Sequence, residues 1–115
     1  MIEAMHTFAD YAFQAKEAIL NQDYQSLARL INSNFDLRRK LYGDEIIGPA
    51  NLEMIEIARA HGHAAKFCGS GGCIVGLWHG SLDDETRLLK TRSLQMTLLQ
   101  RGFVFCHLQL AQESL

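Results

Sequence analysis

Ala64-Ala65-Lys66-Phe67-Cys68-Gly69-Ser70-Gly71-Gly72-Cys73-Ile74-Val75-Gly76-Leu77-Trp78 is the stretch on which the fold turns. Two short apolar runs flank a Gly-Ser-Gly-Gly turn, a pattern that predicts a β-hairpin. Three glycines in four positions let the backbone take positive φ and approach another group closely, because no Cβ intervenes. Successive amides in such a turn can converge on one point and form an anion-binding concavity. Phosphate is therefore the first ligand to consider. The common phosphate-loop patterns do not fit, however. A Walker A loop needs Lys and then Ser or Thr after its last glycine, and Gly72 is followed by Cys73-Ile74. A dinucleotide fingerprint starting at Gly69 would need glycine where Ile74 stands. A plain hairpin, whose glycines only satisfy turn geometry, explains the local sequence equally well.

Outward from the hairpin, the chain alternates helical patterns with short breaks. Residues 2–20 read as an amphipathic helix, with Ile2, Met5, Phe8, Ala9, Ala12 and Ile19 close to one face. Asp23 is placed to cap a second helix, in which Leu27, Ile31 and Phe35 recur at steps of four. Gly43 and Gly48 bracket a linker, and Pro49 suits the first turn of a third helix that Gly62 ends. After the hairpin, Ser81 with Asp84 predicts a capping-box start to a fourth helix carrying Leu88, Leu89, Met96 and Leu99. Gly102 closes that helix, and residues 103–110 read as a final strand. The order helix, helix, helix, strand, strand, helix, strand implies an α+β fold, with helices packed on one face of a small antiparallel sheet.

Composition narrows the function classes. The chain has 115 residues, 48% hydrophobic and 21% charged, which suits one globular domain. Eleven Lys and Arg against 13 Asp and Glu give a net charge of −2, so no basic surface points to nucleic acid. No apolar run spans a bilayer, and residues 1–6 lack a secretory signal, so a cytoplasmic location is expected. Cys68, Cys73 and Cys106 are an odd set, read as small semi-apolar residues filling core positions. Cys68 and Cys73 flank the turn and could come near each other across the hairpin. His61-x-His63 lacks a second ligand pair at metal-binding spacing and reads as a helix end and its turn.

Three segments together carry a resemblance. Leu30-Ile31-Asn32-Ser33-Asn34-Phe35-Asp36-Leu37-Arg38-Arg39, Asn51-Leu52-Glu53-Met54 and Ala64 to Gly72 resemble the C-terminal domain of GHMP-type small-molecule kinases. Within that superfamily they are most similar to glucuronokinase-type sugar kinases, through the Asn-Phe-Asp-Leu-Arg-Arg segment and the Lys-Phe-x-Gly-Ser-Gly-Gly loop. Arg101-Gly102-Phe103-Val104 resembles the family's last helix-to-strand transition, and the likeness covers residues 23–110.

The resemblance implies a ferredoxin-like domain over residues 1–115, without the first strand that such domains carry ahead of the first helix. An open sheet edge or a gap would follow. It also implies ATP and Mg2+ as cofactors of the complete enzyme, and transfer of the γ-phosphoryl group to a sugar or uronic acid, at the anomeric hydroxyl in a glucuronokinase. The partner it implies is an N-terminal kinase lobe, absent here with its main phosphate loop. One wall of a two-lobed site is not expected to catalyse alone, since phosphoryl transfer depends on positioning and electrostatic stabilisation from all sides. By motif, Gly69, Ser70, Gly71 and Gly72 would lie beside the ATP phosphates, giving shape and amide donation, with Lys66 and Cys73 as flanks. No residue here is implied as catalytic and none as a metal ligand.

Asn34, Asp36, Arg38 and Arg39 are the candidate substrate contacts. An arginine fork suits the carboxylate of a uronic acid, and Asn34 and Asp36 suit sugar hydroxyls. Adjacent helical positions diverge by about 100 degrees, so Arg38 and Arg39 cannot both face one site. At least one is expected to be solvated. The rival reading is a free-standing binding or regulatory module, or an inactive kinase relic, dimerising through its incomplete sheet edge.

Overall fold

The structure is a computed structural model that describes residues 2–68, 72–80 and 83–107. Four helices and one hairpin follow each other as α1 (Ile2–Leu20), α2 (Tyr24–Ile47), α3 (Pro49–Ala60), β1 (His63–Phe67), β2 (Ile74–Trp78) and α4 (Asp84–Gln100). The architecture is the expected α+β layer, helices on a small antiparallel sheet.

Local chemistry fixes the element ends. Asp23 caps α2, its carboxylate accepting from the Ser26 amide and hydroxyl, which holds its carboxyl below the usual range. Gly43 breaks α2 one turn before its end, at φ +78°, and Arg39 and Asp44 pair across that break. Gly48, at φ +92°, joins α2 to α3, and Pro49 opens the new helix where its missing N–H costs nothing. Gly62 and Gly102 follow α3 and α4 in the left-handed region. At Gly102 the amides of Gly102 and Phe103 return to the carbonyls of Leu99 and Leu98, closing the last turn. The start of α4 differs from the sequence expectation. Asp83, not Ser81, is the cap; its carboxylate accepts from the Glu85 and Thr86 amides and the Thr86 hydroxyl. Ser81 lies outside the described residues.

The hairpin pairs His63 with Trp78, Ala65 with Gly76 and Phe67 with Ile74. The alternation of an antiparallel ladder turns the amides of His63, Ala65 and Phe67 away from β2. The Ala65 amide there donates to Asn32 Oδ1 at 3.1 Å, so α2 covers this edge of the sheet. Beyond β2 no third strand pairs among the described residues. The expected final strand is not formed over 103–107, and 108–110 lie outside the described residues. Instead of joining a ladder, Phe103 and Phe105 pack against the core.

The core joins α2, α3, β1 and α4. Phe35 and Phe67 meet edge to face at 5.3 Å, surrounded by Ile47, Met54, Ile55, Ala58, Ala65, Leu94 and Leu98. Two apolar faces read from the sequence point elsewhere. On α4 the buried residues are Leu94 and Leu98, while Leu88, Leu89, Met96 and Leu99 are exposed. On α1 the inward side is Ala4, Phe8, Tyr11, Ala15 and Ala18, and Ile2, Met5 and Ile19 face out. Small residues let α1 approach α2, which is the element it packs on most among the described residues. Among the described residues no helix is long and apolar enough to cross a membrane.

Candidate functional site

A cleft of about 290 Å³ opens where α1, α2 and β1 meet, lined by Phe8, Asn34, Arg38, Tyr42 and Lys66. Asn34, Arg38 and Tyr42 follow each other at steps of four on α2, which places them one above another on a single helix face. Lys66 reaches the same cleft from β1. Phe8 forms its apolar wall from α1. The Arg38 guanidinium also stands 5.6 Å from the centre of the Phe67 ring, which fixes it against the end of β1.

The other two substrate candidates are engaged elsewhere. Asp36 pairs with Arg59 at 2.9 Å, and Arg59 lies over Phe35 and donates to the Asn32 carbonyl. Arg39 forks onto Asp44 at 2.7 and 2.9 Å. That bidentate pair raises the Arg39 pKa and lowers that of Asp44. The divergence of neighbouring helical positions thus separates Arg38 from Arg39. Tyr42 and Phe8 were not singled out from the sequence. Extending the step of four from Asn34 and Arg38 reaches Tyr42; nothing local points to Phe8, which arrives through tertiary packing.

In sequence, the glycine loop is the connection between β1 and β2. Gly69, Ser70 and Gly71 are outside the described residues. Gly72 takes φ +81° with nothing within 4 Å of the place a Cβ would occupy. Its amide donates to Asn51 Oδ1 at 2.9 Å, while Asn51 Nδ2 donates to the Ile47 carbonyl at 2.7 Å. Asn51 therefore ties the loop to the α2–α3 junction. A phosphate reaching the Gly72 amide would compete with that side chain. The cysteine reading is corrected here. Cys68, Cys73 and Cys106 are exposed and fill no core positions, because the first two lie just outside the β1–β2 ladder and the third in the irregular stretch after α4.

Of the two histidines, His61 caps the C-terminus of α3, as the helix-end reading expects, whereas His63 does not belong to that turn. His63 opens β1 and is 8% exposed. Its Nδ1 faces the His61 carbonyl at 2.9 Å and its Nε2 faces the Thr91 hydroxyl at 3.5 Å. His61 Nε2 meets Thr97 in the same way. The pair fastens α4 to the start of the sheet. Burial lowers the His63 pKa, the neighbouring His61 also acting in that direction against the carbonyl contact. Trp78 stands edge-on to His63 at 5.4 Å and packs over Gly62 and Gly80.

The chemistry of the cleft is that of an anion site. Two cations and two neutral polar groups line it, and no carboxylate does so among the described residues. A guanidinium fork and an ammonium suit carboxylate or phosphate, and the amide and phenol suit hydroxyls. The described residues do not gather three or more groups able to hold a metal ion, so no step is assigned to Mg2+.

An α+β layer of helices on a small antiparallel sheet is the class of domain the fold defines, and comparison with known proteins gives the family. The family model for GHMP kinases C terminal matches residues 15–87, and the chain belongs to that family. Among curated proteins, the chain is similar to probable glucuronokinase 2 of Arabidopsis thaliana, 49% identical over 75 residues. That alignment covers 65% of this chain and 20% of the relative. Glucuronokinase 1 of the same plant is 45% identical over 75 residues, covering 65% of this chain and 21% of the relative. The chain thus spans about a fifth of the length of these relatives. No solved structure matches it significantly.

Proposed function

We propose that the chain is the acceptor-facing C-terminal domain of an ATP-dependent sugar-acid kinase. The Arg38–Lys66 cleft holds the carboxylate of a uronic acid, and the glycine loop lies beside the ATP phosphates. The observation that carries this reading is the convergence of Arg38, Lys66, Asn34 and Tyr42 on one cleft. Two cations neutralise the carboxylate, and the amide and phenol hydrogen-bond ring hydroxyls. The names of both relatives support glucuronate as the acceptor. Bound ATP would supply the transferring phosphoryl group, and Lys66 and the loop amides would lie on its side of the cleft.

Proton removal from the sugar hydroxyl and the main phosphate loop belong, in this reading, to a second lobe. The complete enzyme is cytoplasmic. This chain alone binds but does not turn over, because it offers positioning from one side only.

Titration of the chain with glucuronate, followed by NMR shifts at millimolar ligand, tests the assignment. Arg38→Ala is expected to weaken binding by about ten- to a hundredfold, the loss of charge-assisted hydrogen bonds worth about 1.5–3 kcal/mol. Arg39→Ala, already committed to Asp44, is expected to change it less than about twofold on the same scale. Glucose, which lacks the carboxylate and so both cation contacts, is expected to bind the native chain at least as weakly as glucuronate binds Arg38→Ala. Equal effects of the two arginine variants, or glucose binding as well as glucuronate, would sink the assignment.

A further inference from the structure

Cys68 and Cys73 are placed opposite each other by the hairpin. The register that pairs Phe67 with Ile74 continues one step, and the Cys68 amide donates to the Cys73 carbonyl at 3.0 Å. That bond is one of the two that mark a hydrogen-bonded antiparallel pair, a placement in which facing Cα atoms stand about 5.5 Å apart. A disulfide bridges Cα separations of about 4.4–6.8 Å. Both residues are exposed, so an oxidant reaches them without unfolding the domain. Period two puts Lys66, Cys68, Cys73 and Val75 on one face of the hairpin, and Lys66 lines the anion cleft.

We propose that Cys68 and Cys73 form a reversible oxidation site, closing to a cross-strand disulfide under peroxide and tying together the two ends of the glycine loop. Peroxide oxidises one thiolate to a sulfenic acid, its O–O bond breaking with release of hydroxide. The second thiolate attacks the sulfenic sulfur, forming the S–S bond and expelling a second hydroxide. The two thiol protons complete two waters. Two thiols and one peroxide thus give one disulfide and two waters, the peroxide being reduced and the sulfurs oxidised. An exposed bridge of this kind is of the labile class that a thiol such as glutathione reopens.

The thiolate is the reacting form. Burial pushes the Cys68 thiol up and the Cys73 thiol adds to the shift, with Lys66 opposing it. Closure is accordingly faster at alkaline than at neutral pH.

The bridge stands on geometry alone; its consequence for phosphate binding rests on the function proposed above. The test treats the reduced chain with hydrogen peroxide, blocks remaining thiols and maps the product by peptide mass spectrometry. The expected product has lost two hydrogens, links Cys68 to Cys73 and reverts with reduced glutathione. Cys68→Ser and Cys73→Ser each abolish it, and Cys106→Ser retains it. A bridge to Cys106, a bridge between two chains, or overoxidation of both thiols without a bridge would overturn the proposal. A second arm compares ATP binding to reduced and bridged chain, where at least a fivefold difference is expected. A mapped bridge with equal affinities, or with no ATP binding in either form, removes the phosphate-loop reading and leaves the oxidation site standing.

Discussion

A methyl group added at Gly62 would lie 2.7 Å from the Trp78 ring, whereas one added at Gly72 would meet nothing within 4 Å. Both residues hold positive φ, +77° and +81°. The two sites therefore separate backbone strain from crowding. Gly72→Ala is expected to cost about 1–2 kcal/mol, the penalty of the left-handed region for an L side chain. Gly62→Ala carries that penalty and an overpacking cost of about 1–3 kcal/mol, because the indole is rigid and held against His63. Urea unfolding of the two variants reads the difference; equal losses would show that Trp78 moves aside freely. The same scale explains what the site's sequence concealed. Arg38 and Arg39 are chemically alike, and only the positions of Asp44 and Lys66 in space sort one to an ion pair and the other to the cleft. Asn51 stood in a recognisable segment, yet its partner Gly72 lies 21 residues away.

Helix ends were legible because they are local. Asp23, Pro49, Gly62 and Gly102 act on amides and dihedral angles within a turn of themselves, and each marks a boundary in the structure. Helix faces were less so. α4 carries leucines on two opposite sides, and the larger group, Leu88, Leu89, Met96 and Leu99, is the exposed one. Which side turns inward is decided by α3 and β1, which no local pattern encodes. Substitution measures this directly. Leu94→Ala and Leu98→Ala are expected to cost about 2–5 kcal/mol each, as buried leucines do. Leu88→Gln and Leu99→Gln, at 58% and 54% exposure, are expected to stay within about 0.5 kcal/mol. Large losses from the exposed pair would reverse the assigned face. The final strand was misread for a related reason. Residues 103–107 have strand-like composition, but a strand needs a ladder partner, and Phe103 and Phe105 find the core instead.

Over the whole molecule, the radius of gyration is 14.8 Å, against about 13 Å for a compact domain of this length. The excess fits a layer in which α1 rests on α2 and α4 rests on α3, with the hairpin between the inner pair. Stability then depends on how well α4 is fastened, and His63 is a titratable part of that fastening. Its pKa is lowered by burial from the ordinary 6.5, so the unfolded chain takes up the proton first. The contribution is complete above 6.5 and is lost as pH falls below that value through the folded pKa. The urea midpoint should therefore drop between about pH 7.5 and pH 5.5, and His63→Phe should flatten that part of the curve. An unchanged slope in the variant would show that His63 takes up its proton over the same pH range folded and unfolded. Trp78, the single tryptophan of the chain, stands edge-on to this imidazole. A charged imidazole quenches indole emission, so the ring pair makes the molecule its own optical pH gauge. The brightness of the native protein is expected to fall as His63 takes up its proton, and a shift in emission colour to mark release of the hairpin, without any label being attached.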